Sequence, residues 1–166
     1  MFAGALLVVA LAGIGAASRS PSIKTVCDVL ANDPTALNGA LITVRGEYEF
    51  SDEGTWLVGE CDSHLVTRGL EWPNTISISM NPSDDNASRS WGRMVQKLRR
   101  LHADPSRDRI LLTIIGKLLT RASMNDEIVQ MPYGLMRAGF GHLGTAPAEI
   151  DVVSVSNIRV ERAPVK

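Results

Sequence analysis

Two long runs of β-branched and aliphatic residues, each broken by a single glycine, do most to limit what this chain can fold into. "ALITVRGEYEF" (40–50) puts Ile42, Val44, Tyr48 and Phe50 on one parity, and "RILLTIIGKLLTRA" (109–122) is apolar on both. Alternation predicts a strand with one buried face; an unbroken apolar run rich in Ile and Thr predicts a strand buried on both. A glycine inside a strand marks a bend or bulge. Gly46 and Gly116 therefore predict strands that curve strongly.

The remaining signals set the order of elements. Ile23, Val26, Cys27 and Leu30 fall at i, i+3, i+4 and i+7, with Ser22 as N-cap and Asn32-Asp33-Pro34 as stop, which predicts a short amphipathic helix. Asn38-Gly39 turns into the first long strand. "TWLVGE" (55–60), across the polar "SDEG" turn, is its hairpin partner, and "TISISM" (75–80) alternates as a third strand. Between Ala87 and Ala103 the period becomes helical, with a stripe of Trp91, Met94, Val95, Leu98 and Leu101, capped by "NPSDDN" and stopped by "HADP". Residues 123–148 show no sustained period and read as a long loop. "EIDVVSVSNIRVE" (149–161) is the last strand, and 162–166 a tail. The expected fold is mainly β with two helices: a five-stranded OB-like Greek-key barrel, with one helix before strand 1 and one between strands 3 and 4. The two glycines then fall where a small barrel must curve. A split-sheet α+β layer would share many of these elements.

The chain of 166 residues has one domain's worth of length, expected over 20–161. Its first seventeen residues, "MFAGALLVVALAGIGAA", carry no charged side chain. The apolar stretch from Phe2 to Ile14 has the length of a signal core and is short of the roughly 20 residues that span a bilayer. Small residues follow, so 1–19 is expected to be a signal peptide, with an uncleaved membrane anchor or a misplaced start as alternatives. Cys27 and Cys61 agree with export to a periplasm, envelope or extracellular space, where an even pair most often forms a disulfide. Such a bridge would close a loop of about 35 residues, stabilise by roughly 4 kcal/mol on the chain-entropy account, and staple the first helix to the sheet. The alternative is two buried thiols packed as small apolar groups.

"CDVLANDPTALNGALITVRGEYE" (27–49), a short helix ending in proline and an Asn-Gly turn into a strand, resembles the opening of bacterial OB-fold modules of the exported and tRNA-anticodon-like kinds. "GFGHLGTAPAEIDVVSVSNI" (139–158) resembles the ending of a group of signal-bearing bacterial proteins of uncharacterised function built on that module. The resemblance implies an exported β-barrel domain of unsettled role and implies no catalytic residues.

"GFGHLG" (139–144) fits the dinucleotide pattern G-x-G-x-x-G letter for letter. That fingerprint needs a strand before it and a helix after it. Here no clear strand precedes it, and Pro147 with β-branched alternation follows. A tight glycine turn is expected instead, with Phe140 or Leu143 plugging one end of the barrel and no dinucleotide bound. His142 reads as a loop histidine fixing that turn. "CDSH" (61–64) loses its nucleophile or ligand if Cys61 is bridged, and neither G-x-S-x-G, a P-loop nor H-E-x-x-H occurs. No catalytic residue, metal or cofactor is expected. An enzyme would need a pocket joining His142 to a second polar group.

Seventeen Lys and Arg nearly balance eighteen Asp and Glu, so net charge recruits no polyanion. The balance conceals a polar molecule. Arg89 to Arg109 carries a net charge of +5, while Glu47 to Asp62 holds six acids and no base. Arg89, Arg93, Lys97 and Arg100 form a candidate basic patch for phosphates, anionic headgroups or an acidic partner. Otherwise they are a solvated helix face, paired with the acidic hairpin. Tyr48, Phe50 and Trp56 form a candidate ligand face on the first two strands; turned outward they would stack on sugar or base rings, turned inward they are core. Aromatic residues make up only 5% of the chain, which weakens a stacking platform. The expected function is that of an exported non-enzymatic binding or interaction module with a protein or polyanionic partner. An oligonucleotide or oligosaccharide binder is the second reading, an enzyme the third. Membrane contact is expected only if the apolar N-terminus is retained.

Overall fold

The computed structural model describes residues 22–31, 33–104, 107–121, 128–132, 134–141 and 144–162. In chain order the elements are β1 (Ile23–Thr25), α1 (Val26–Leu30), a 3-10 turn (Pro34–Leu37), β2 (Leu41–Ser51), β3 (Gly54–Val58), β4 (Val66–Thr67), β5 (Leu70–Glu71), β6 (Thr75–Ser79), α2 (Asp85–Arg100), β7 (Arg109–Leu119), β8 (Ile128–Met131), β9 (Gly134–Arg137) and β10 (Ala148–Glu161). Among the described residues the fold is mainly β with two α-helices. The main sheet is mixed and six-stranded, in the order β1-β2-β3-β6-β10-β7, and β2 also pairs with β7.

The bend at Gly46 lets one strand serve two neighbours. Residues 41–47 of β2 pair with β7, and residues 47–51 pair with β3. A Cβ at Gly46 would lie 2.9 Å from Val26 Cγ2 and 3.1 Å from the Val58 carbonyl oxygen, so glycine is what lets α1 and β3 close on the bend. The main core gathers Val26 and Val29 of α1, Val44 and Leu57 of the hairpin, Met94 of α2 and Ile114 of β7. A smaller cluster of Trp72 and Ile128 packs with Leu65 and Leu70 beneath the β4–β5 and β8–β9 pairs.

Three expectations need correction. The first helix does not begin at Ser22. Ile23–Thr25 instead lie parallel to Thr43–Arg45 on the β2 edge that β3 leaves free. Thr25 caps a helix of only five residues through a capping box with Asp28, whose carboxyl these hydrogen bonds hold below its ordinary value. Alternating β-branched residues at 23 and 25 suit that edge. The sheet accordingly has six strands and not five: α1 follows a strand, and α2 stands between the sixth and seventh strands of the chain. Finally, the expected loop over 123–148 contains the β8–β9 hairpin and a bridge between Phe140 and Ala146. Strands of four residues are too short to show a period.

α2 is capped by Asp84, whose side chain accepts from the Asn86 and Ala87 amides, and it buries Ala87, Ser90, Met94 and Leu98. Ser90 Oγ accepts from the Val155 amide at 2.8 Å, and Lys97 Nζ donates to the Ile158 carbonyl at 2.9 Å. Both contacts moor the helix on β10.

Candidate functional site

Residues directly opposite in an antiparallel pair share a face. Tyr48 lies opposite Leu57, and Glu49 opposite Trp56. The predicted ligand face is therefore split. Tyr48 and Leu57 face the core, while Trp56 shares the outer face with Glu49. Tyr48 meets Trp91 edge-on, with ring centroids 5.9 Å apart, and burial raises its phenol above the ordinary value. Phe50, on the same parity but at the strand's end, stays 59% exposed.

Tyr48 and Phe50 do converge with the helix. They form one wall of a groove of about 460 Å³ whose other wall is Trp91, Met94, Val95, Leu98, Arg99 and Ala103. A second hollow of about 270 Å³ adjoins it, sharing Tyr48 and Phe50 and reaching Arg107 and Asp108. The opening has a backbone cause. β7 follows β2 only as far as the Glu47–Leu111 pair, so among the described residues 48–51 have no strand partner on that side. An uncovered edge of this kind can receive another strand.

The charges around the groove are unevenly committed. Arg109 is held by Glu47 at 2.9 Å, Glu60 at 3.2 Å and Glu161 at 3.8 Å, and the Glu47 hydrogen bond is the main cause that raises its pKa. Of the acids between Glu47 and Asp62, Glu47 and Glu60 thus pair with β7, and among the described residues none pairs with α2. Of the predicted basic patch, Arg89 bonds Asn86 at 2.6 Å and Lys97 is moored on β10, while Arg93 and Arg100 point to solvent. Among the described residues the side chains of Arg93, Arg99, Arg100 and Arg107 have no ion pair or hydrogen bond. Arg99 lines the groove although it lay outside the predicted patch. Its signal was present in the spacing, since Trp91, Val95 and Arg99 recur every four residues down one side of the helix.

The chemically suggestive motifs fall elsewhere. Cys27 and Cys61 form a disulfide joining α1 to the segment after β3, with Cα atoms 5.4 Å apart. His64 is exposed beside Glu71 at 3.6 Å. His142 and Leu143 lie outside the described residues. The hexapeptide at 139–144 closes on itself through the Gly139 amide and the Gly144 carbonyl at 3.1 Å, Gly141 and Gly144 take positive φ, and a strand follows. Phe140 lies under the Arg121 guanidinium, 5.4 Å from the ring centre, and among the described residues it belongs to neither buried cluster. Among the described residues no three His, Cys, Asp or Glu side chains gather as metal ligands, and no helix is long and apolar enough to cross a membrane.

On the outer face Trp56, Ser77 and Glu149 stand in one row across β3, β6 and β10. Burial pushes the Glu149 carboxyl up, Ser77 Oγ opposes this with a 3.5 Å hydrogen bond, and Asp151 adds to the rise. A carboxyl raised by folding favours the native state below its unfolded value, and that contribution is lost as pH rises through the folded value. Glu149→Gln is therefore expected to raise the melting temperature at neutral pH and to have little effect well below the ordinary carboxylate range. Melts of both proteins across that range check it; an equal shift at both ends would contradict the assignment.

No family model matches the chain, and no curated protein or solved structure matches it.

Proposed function

We propose that this protein is an exported, non-enzymatic interaction module built as an OB-like barrel, and that its partner sits in the groove between α2 and the open end of β2. The observation that carries the reading is the groove itself: an exposed Phe50 faces an apolar helix flank, and Arg99 and Arg107 beside it have no partner among the described residues. A surface of that kind suits an apolar side chain flanked by carboxylates. Support for the barrel comes from pairings that run from β2 through β3, β6, β10 and β7 back to β2, with α2 between β6 and β7. The likeness of 27–49 and 139–158 to exported OB modules points the same way. The disulfide and the uncharged first seventeen residues favour export.

A second reading, a polyanion binder, is favoured by Arg93, Arg99, Arg100 and Arg107, whose side chains have no partner among the described residues. Two measurements separate the readings. A photo-crosslinker placed at Phe50 or Val95 is expected to capture one common protein that a crosslinker at Val153, on β10, does not. Labelling at all three positions, or at none, would remove the groove as a site. Anisotropy of a mixed single-stranded oligonucleotide is expected to stay flat at low salt. Salt-sensitive binding lost in Arg93→Glu/Lys97→Glu/Arg100→Glu would make the polyanion reading the right one.

A further inference from the structure

We infer that the groove's occupant is a second copy of this chain, each copy offering Phe50 and its acidic flank to the groove of the other. This rests on the groove being a binding site and names what fills it. The chain displays both halves of a complementary pair. One half is the groove with Arg99 and Arg107 at its edge. The other is the hairpin end Phe50-Ser51-Asp52-Glu53: an aromatic ring 59% exposed, beside two exposed carboxylates that form no ion pair with the described residues.

Within one molecule the two halves do not satisfy each other. Phe50 forms the lip of its own groove with most of its surface uncovered, and among the described residues neither carboxylate reaches an arginine. Across a two-fold axis they can. In an isologous interface every hairpin-to-groove contact occurs twice, so weak contacts count double. The edge of β2 at 48–51, which has no strand partner on this side among the described residues, adds main-chain donors and acceptors. A formal net charge of −1 leaves little overall repulsion between copies.

The test is sedimentation velocity on the full chain and on two charge-reversed variants, Asp52→Lys/Glu53→Lys and Arg99→Glu/Arg107→Glu. All four positions are exposed, so thermal melts should show both variants folded. The wild-type chain is expected to dimerise, less so as salt is raised. Each variant alone should dimerise about tenfold or more weakly, because both contacts of its homodimer meet like charge. An equimolar mixture should recover dimers, since each hairpin then meets a groove of opposite sign. Three results would overturn the inference: a wild-type chain that stays monomeric, dimers that persist in both variants alone, or a mixture no better than its components. The second also covers association through the apolar N-terminus, which all three proteins share. Crosslinks from Phe50 and Val95 to a different protein, with a monomeric chain, would sink self-pairing and leave the groove as a site. Neither crosslinks nor dimers would sink both.

Discussion

Removing the Cys27–Cys61 bridge is expected to cost the fold about 4 kcal/mol, and so to lower the melting temperature by roughly 10–15 °C for a chain of this size. The loop closed by the bridge spans 34 positions, which sets the entropic part. What the bridge holds makes the effect large. α1 has only five residues, too few to be stable as an isolated helix, yet it contributes Val26, Val29 and Leu30 to the core. Val26 packs where β2 bends, and a Cβ at Gly59 would come within 2.8 Å of Val26 Cβ and 3.1 Å of Cys27 Sγ. Helix, bridge and bend are thus one unit, and β1, which leads directly into α1, depends on it. Melts of Cys27→Ala/Cys61→Ala and of the reduced protein measure the loss. A double variant that melts with the wild-type protein would show that α1 docks by packing alone.

The parts legible in the sequence were those with long repeats. Period-2 alternation over "ALITVRGEYEF" and helical spacing from Trp91 to Leu101 each span enough residues to predict their elements, and both interior glycines marked close approaches. β4, β5, β8 and β9 have two to four residues, and such strands exist only because distant partners pair with them. The site was half legible. With Asp52-Glu53 as the turn, Phe50 must meet Thr55 and Trp56 must meet Glu49, so the hairpin register already placed Trp56 away from Tyr48. The meeting of Phe50 with Val95 and Arg99 had no local signal. It depends on where β7 stops following β2 and on how α2 is moored on β10, contacts between segments far apart in the chain.

Gly116→Ala is expected to destabilise by about 3 kcal/mol, at the upper end of the range for overpacking, because the obstacle is main chain. At this position β7 is paired on both sides, with Ile42 of β2 and Val152 of β10, so the strand cannot step aside. An added Cβ would stand 2.5 Å from the Asp151 carbonyl oxygen and 2.6 Å from Ile150 Cγ1. Next to this contact the β7–β10 register shifts, between Val152 and Ser154, which places the irregularity beside the close approach. Gly92→Ala separates packing from backbone entropy. Gly92 is exposed in the middle of α2 with nothing within 4 Å of its Cβ position, so alanine there should stabilise by about 0.5–1 kcal/mol. Denaturant unfolding of the two variants should therefore move in opposite directions. If both moved upward, β7 and β10 would not approach so closely at Gly116, and the ladder that carries β2 from β3 to β7 would lose the contact that fixes its neighbour's path. The open end of β2, and with it the groove against α2, would then need a different cause.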